Sequence, residues 1–170
     1  VSVFCLQDTK LPVRLHASVR AAFARFDYNV FFTSGDSKFA CMIGVISDLR
    51  AARCDRSEST LAVDLIMEHN RTRLRVVDTY WHPRPQMQSH WQAREAALHE
   101  VELERCDHNP CMMFGDINVG TCPDSYSKAL ATGLVRIPSP DYTNISHNGQ
   151  SKPDVVMISD HLRAAVAGSE

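Results

Sequence analysis

Apolar residues along this chain recur at two periods, and the places where one period gives way to the other mark its elements. Val1 to Leu6, apolar except for Ser2, predicts a buried strand. From Leu11 to Phe26 the apolar positions Leu15, Val19, Ala22, Phe23 and Phe26 follow helical spacing, so this stretch predicts an amphipathic helix. Asn29 to Thr33 predicts a second strand, closed by the turn signal Ser34-Gly35-Asp36, and Cys41 to Ser47 a third. Leu61 to Met67 and Leu74 to Tyr80 are apolar-rich runs parted by the polar turn His69-Asn70-Arg71, which predicts an antiparallel hairpin. Gln86 to Arg105 predicts a long helix with Trp91, Leu98 and Val101 on one face. Cys111 to Phe114 and Val155 to Ile158 predict further buried strands. Hairpins beside strand–helix–strand units give one α/β domain over residues 1–170, with mixed strand directions.

Composition narrows the function classes. The 170 residues, 44% hydrophobic and 22% charged, are enough for one domain with a real core and match an ordinary globular protein. No apolar run approaches the roughly 20 residues of a membrane span, so no membrane role is expected. The chain opens directly in a strand without a leader pattern, and the natural protein is expected to extend upstream. A net charge of −2 argues against coating nucleic acid by bulk electrostatics. Arg50, Arg53, Arg56, Arg71, Arg73, Arg75 and Arg84 allow a local basic face, although most are expected at solvated strand and loop positions. Cys5, Cys41, Cys54, Cys106, Cys111 and Cys122 form no CxxC pair and no zinc spacing, so free buried thiols in an intracellular, reducing compartment are expected. Two glycosylation sequons, at Asn70 and Asn144, are discounted because nothing else points to secretion.

Polar clusters fall at strand ends, where layered α/β folds bind ligands. The first strand runs into Gln7-Asp8-Thr9-Lys10 and the hairpin ends in Tyr80-Trp81-His82-Pro83. A later strand ends in Gly115-Asp116-Ile117-Asn118, and the last begins at Ser151-Lys152-Pro153-Asp154. An aspartate and an asparagine side by side at a sheet edge can hold a phosphate beside a divalent cation, yet both are also ordinary turn residues. Each position has a plainer reading. Asp8 can cap the following helix, Tyr80 can be a half-buried strand residue, and Asp154 can be a turn acid after Pro153.

Val3-Phe4-Cys5-Leu6-Gln7-Asp8-Thr9-Lys10 resembles the strand and Q-E-T-K motif of the endonuclease/exonuclease/phosphatase superfamily. The nearest resemblance is to apurinic endonucleases and the endonuclease domains of LINE-type retrotransposons. Tyr80 and Pro83 are similar to that family's strand-ending Y-x-P, and Gly115-Asp116-Ile117-Asn118 to its G-D-F-N. Tyr142-Thr143 and Ser151 through Ser159 resemble its T…S-x-I-D-x-I-x-x-S segment. The motifs keep the family's order across nearly the whole chain. The resemblance implies two mixed sheets packed as a sandwich flanked by helices, and hydrolysis of phosphodiesters with Mg2+ (or Mn2+). It implies that Asp8 binds the metal, Tyr80 lies against the scissile phosphate, Asp116 orients or deprotonates the attacking water, and Asn118 holds phosphate oxygens. Asp154 would fix a catalytic histidine. Magnesium prefers oxygen ligands and commonly binds through one or two carboxylates plus substrate phosphate, which suits this set.

The chain also departs from the family. Asp8 stands in place of a glutamate and shortens the metal-binding arm by one methylene. The family's first strand, with its asparagine, precedes the point where Val1 begins. Ser159-Asp160-His161 imitates the family's S-D-H triplet, but its spacing from Asp154 assigns Ser159 to the strand-ending serine and makes Asp160 and His161 the start of a helical turn. The triplet itself is then expected beyond Glu170 or absent, and a terminal strand is expected to be missing at each end. Two functions follow. One is a metal-dependent endonuclease of retrotransposon type that nicks DNA to leave a 3′ hydroxyl, nuclear in location, with RNA as the other candidate substrate. The other is a degenerate, non-catalytic relative serving as a binding module in a larger polypeptide or ribonucleoprotein assembly. A phosphatase or deadenylase of the same fold is the weaker third, because Q-D-T-K is closer to the nuclease branch. Substrate preference is assigned to Tyr142-Thr143-Asn144 and to a loop from Arg50 to Arg56.

Overall fold

Two sheets pack face to face because their strands carry apolar residues on both sides. The computed structural model describes residues 2–34, 40–67, 72–82, 88–106, 109–118, 123–137, 144–146, 149–151 and 154–163. The smaller sheet contains β1 (Val3–Leu6), β2 (Tyr28–Phe32) and β3 (Met42–Ile46), all antiparallel, with β3 in the middle. Helix α1 (His16–Ala24) covers its outer side, where Val19 and Phe23 meet Val30, Phe32 and Met42. Phe4 fills this layer, its ring 5.3 Å from that of Phe23. Gly44 makes room for it, since a Cβ there would fall 2.1 Å from the Phe4 ring.

The larger sheet runs in the order β4 (Arg50–Ser57), β5 (Thr60–Met67), β6 (Thr72–Tyr80), β7 (Cys111–Asp116), β11 (Asp154–Ser159) and β8 (Leu134–Arg136). Strands β5 and β6 form the expected antiparallel hairpin; its turn lies outside the described residues. Strands β6 and β7 are parallel, joined through α2 (Gln88–Cys106). Helix α3 (Pro123–Ala131) leads into β8, and a short ribbon pairs β9 (Asn144–Ser146) with β10 (Gly149–Ser151).

Alternation along β6 sets the layering. Leu74, Val76 and Tyr80 turn toward the small sheet and join Cys41, Ile43, Val45, Leu61, Val63 and Leu65 in the core between the sheets. Val77 turns the other way, into a second core with Ala62, Trp81, Ala97, Val101, Met113 and Met157 beneath α2 and α3. The result is four layers: helix, small sheet, large sheet, helices. This is the mixed sandwich that the motif resemblance implies.

Three expectations need correction. The segment from Arg50 to Arg56 is not a loop but edge strand β4, in register with β5 from Arg50↔Ile66 to Asp55↔Leu61. An edge strand needs no apolar alternation, because pairing with its neighbour fixes it. Trp91 is not on the buried face of α2: it is 48% exposed, with the Arg94 guanidinium 4.9 Å from its ring. The buried face of α2 instead carries Arg94, Ala97, Glu100, Val101 and Glu104. Finally, Arg75 is buried rather than solvated, and both Arg73 and Arg75 pair with acids on β5 and α2. No helix among the described residues is long and apolar enough to cross a membrane.

Candidate active site

Register brings the sequence motifs into one row. Tyr80 at the end of β6 is the parallel neighbour of Asp116 at the end of β7. Asp116 is in turn the antiparallel partner of Asp154, the first residue of β11. Three positions far apart in sequence therefore stand side by side on adjacent strands, spaced by about 4.8 Å per strand. Burial alternates along β7, so Asp116 shares a side with Met112 and Phe114, the side that faces the small sheet. The side chain of Asp154 lies outside the described set.

Glycine is required just before Asp116. A Cβ at Gly115 would lie 2.5 Å from the Thr79 carbonyl oxygen, so any side chain there would push β7 off β6. Beyond the strand, Trp81 donates its backbone N–H to the Asp116 carbonyl at 2.9 Å, and Asn118 donates Nδ2 to the Trp81 carbonyl at 2.8 Å. These bonds lace the two strand ends together and aim Asn118. Asn118 adopts a left-handed backbone, φ 45°, which asparagine tolerates better than most residues.

The small sheet contributes from the opposite side. Past β1 the chain takes left-handed conformations at Asp8 (φ 49°) and Lys10 (φ 50°), separated by Thr9, whose N–H donates to the Ala40 carbonyl at 3.0 Å. Two non-glycine residues held this way within one short turn cost of order 1 kcal/mol or more each, a pattern concentrated at functional sites. Asp8 caps no helix: neither α1 nor the helical turn before it has a side-chain cap. Its Oδ2 meets Lys10 Nζ at 3.2 Å, whereas its Oδ1 is buried and accepts no hydrogen bond. The half-buried Tyr80 phenol reports the convergence. Desolvation, then the charges of Asp116 and Asp8, hold its pKa above the usual tyrosine value of 10.0.

Sequence reasoning missed Asp78. It lies on the same side of β6 as Val76 and Tyr80, fully buried, and Gln7 Nε2 donates to its Oδ1. Burial pushes its carboxyl up to about 8, although the Gln7 amide and the backbone of Met42, Leu6 and Thr79 pull the other way; none of these closes a hydrogen bond to Oδ2. The signal was available: an acid on the apolar side of an alternating strand is an anomaly in itself.

Other candidates fall away from this place. Ser159 accepts a hydrogen bond at Oγ from Cys111 N at 2.9 Å and returns one to the Cys111 carbonyl, tying β11 to the start of β7. Asp160 begins a helical turn just past that end, roughly 20 Å along the chain from Asp154 at about 3.4 Å per residue. Cys5, Cys41 and Cys111 are free thiols whose pKa values burial raises, Cys111 to about 12. They stay protonated at neutral pH, which makes them poor nucleophiles. Tyr142, Thr143, Arg71 and Arg84 lie outside the described residues.

The donor set suits a hard cation. It offers carboxylate oxygens from Asp8 and Asp116, one of them the buried, unbonded Oδ1 of Asp8. Among the described residues no group of three His, Cys, Asp or Glu side chains could hold a metal. Magnesium does not need three, because it keeps several waters and uses one or two carboxylates with substrate phosphate.

No protein-family model matches the sequence, and no curated protein matches it. Solved structures do. An AP endonuclease from Archaeoglobus fulgidus aligns over 96% of this chain and 78% of its own, with a TM-score of 0.68 and 16% identity. The endonuclease domain of TRAS1, a telomere-specific non-LTR retrotransposon, aligns over 81% and 69%, with a TM-score of 0.61 and 17% identity. A mannosyl-6-phosphatase from Bacteroides thetaiotaomicron aligns over 94% and 71%, with a TM-score of 0.61 and 14% identity. At these identities the likeness is one of fold.

Proposed function

Starting from the DNase I-like fold of the endonuclease/exonuclease/phosphatase superfamily, which this chain has, we propose that it hydrolyses phosphodiesters with a divalent metal and nicks DNA. The observation that carries the reading is the register row Tyr80–Asp116–Asp154 together with the charges of Asp116 and Asp8 acting on the same Tyr80 phenol. In this reading Asp8 would hold Mg2+ or Mn2+. The bound cation supplies Lewis acidity toward the phosphoryl oxygens and the leaving oxygen. Asp116 orients the attacking water and takes its proton. Asn118, aimed by its bond to Trp81, presents an amide to a phosphate oxygen, since an amide nitrogen carries two hydrogens. The Tyr80 phenol, kept protonated by its surroundings, donates to the scissile phosphate. The Gln7-Asp8-Thr9-Lys10 motif supports the endonuclease branch over a phosphatase, and a retrotransposon-type nuclear endonuclease within a longer polypeptide is the role it favours.

One observation favours the second reading, a non-catalytic relative acting as a binding module. Asp8 stands where the resembled motif has a glutamate, which shortens the carboxylate arm by one methylene. Nicking of supercoiled plasmid decides between the two. We expect the purified protein to produce open circles with Mg2+ and none with chelator. Asp116→Ala should reduce the rate by about 10³-fold, the scale of losing a principal transition-state group. A folded protein that leaves the plasmid intact would exclude the enzyme reading.

A further inference from the structure

The two halves of the site belong to different sheets. Asp8 follows β1 of the small sheet, whereas Tyr80 and Asp116 end strands of the large one. Core packing between the sheets is apolar and non-directional, so it fixes their spacing better than the heading of a loop at their edge. Something must set where Asp8 points. The contact that spans the gap at this place is polar: Gln7, the residue before Asp8, donates from Nε2 to the Asp78 carboxyl, two residues before Tyr80.

We infer that Gln7 and Asp78 form a positioning pair that holds the Asp8 turn in place against the strand bearing Tyr80. Three observations converge on it. Asp78 is fully buried with an Oδ2 that accepts no hydrogen bond, a costly arrangement that packing alone would replace with valine or leucine. Its carboxyl also lies beside the backbone of Leu6 and Met42, the last register pair of β1 and β3, so it meets the small sheet where the Asp8 turn departs. Asp8 and Lys10 take left-handed conformations in that turn, and strained backbone persists only where neighbouring contacts over-determine it. The bond to Gln7 and that from Thr9 N–H to Ala40 bracket Asp8 on both sides.

The inference rests on reading Asp8 as a cation-binding residue, and two measurements separate the fates of the two claims. The first, free of metal, is amide hydrogen exchange at Thr9 compared with core amides such as Ile43 and Met113. Gln7→Ala and the shape-conserving Asp78→Leu should each speed exchange at Thr9 by about tenfold and leave the core amides unchanged. Asp78→Asn keeps an acceptor for Gln7 and should restore protection. The second is calorimetric titration with Mn2+ alone, in which Gln7→Ala and Asp78→Leu should weaken binding by about tenfold, as loss of an outer-shell partner does. Unchanged Thr9 exchange in folded Gln7→Ala and Asp78→Leu proteins overturns the positioning pair. Unchanged Mn2+ affinity in variants with faster Thr9 exchange overturns its bearing on the site. A wild-type protein that binds no Mn2+ defeats the proposed function instead, and Thr9 exchange then decides the pair by itself.

Discussion

Strand β6 carries two buried polar clusters on its two sides, and they are built to opposite rules. On the helix side Arg75 bonds Asp64 through Nε at 2.7 Å and Nη2 at 2.9 Å, and Glu100 through Nη1 at 2.5 Å. Arg73 bonds both carboxylate oxygens of Glu104, at 3.0 and 2.8 Å. Two cations and three acids from β5, β6 and α2 close on one another, and the pairing drives the Arg75 pKa upward. On the side facing the small sheet neither Asp78 nor Asp8 is held by an arginine among the described residues. Asp78 has Gln7, and the Asp8 carboxylate has the exposed Lys10 on one oxygen and nothing on the buried other. The first cluster joins helix to sheet. The second leaves Oδ1 of Asp8 and Oδ2 of Asp78 buried without a hydrogen bond, which is costly for stability, and the Asp8 oxygen is the one a bound cation would satisfy.

Breaking each cluster should therefore have different consequences. The largest effect on folding is expected from Arg75→Ala, which leaves Asp64 and Glu100 buried without their main partner. About 3–5 kcal/mol of stability should be lost, read as a lower urea midpoint at unchanged slope. A loss below about 1 kcal/mol would mean that the network is more hydrated than its burial implies.

A smaller effect of opposite sign is expected on the other side. The folded Asp78 carboxyl titrates at about 8 against an ordinary 3.8, so between those values the folded state holds a proton that the unfolded chain has released. Stability should then fall as pH rises from about 4 to 8 and level off above. Asp78→Asn removes this slope and should be the more stable protein at pH 8 by a few kcal/mol. The groups whose charges and thiols surround that carboxyl, Cys5, Cys41 and Asp8, are unchanged by the substitution. Equal slopes in the two proteins would show that Asp78 ionises normally. Smallest of all, Arg53→Ala on the exposed edge strand should shift stability by less than about 0.5 kcal/mol in the same urea titration; a larger loss would tie β4 to the buried network.

The comparison also explains what could be read from the sequence. The motifs Gln7-Asp8, Tyr80, Gly115-Asp116-Ile117-Asn118 and Asp154 sit at ends of strongly apolar runs, so strand alternation and family resemblance together located them. Their convergence depends on register, Tyr80↔Asp116↔Asp154, which pairing between distant strands sets and no local pattern reveals. The helix-side network is hidden from the sequence for the same reason. Arg73, Arg75, Glu100 and Glu104 look like solvated charges along the chain, and only the approach of α2 to β6 turns them into a closed cluster. Composition alone places Arg50 to Arg56 in a loop, and pairing with β5 makes it strand β4. Asp78 was passed over although its place on an apolar side marked it.

The most direct test of the contrast is to ask where a divalent cation goes. Mn2+ added in small steps to isotope-labelled protein broadens the amide resonances nearest to it. The account predicts early broadening at Asp8, Tyr80 and Asp116, with Arg75, Glu100 and Glu104 still sharp, and loss of the effect in Asp8→Ala. Broadening that begins at the helix-side acids, or that is equally strong without Asp8, would contradict it.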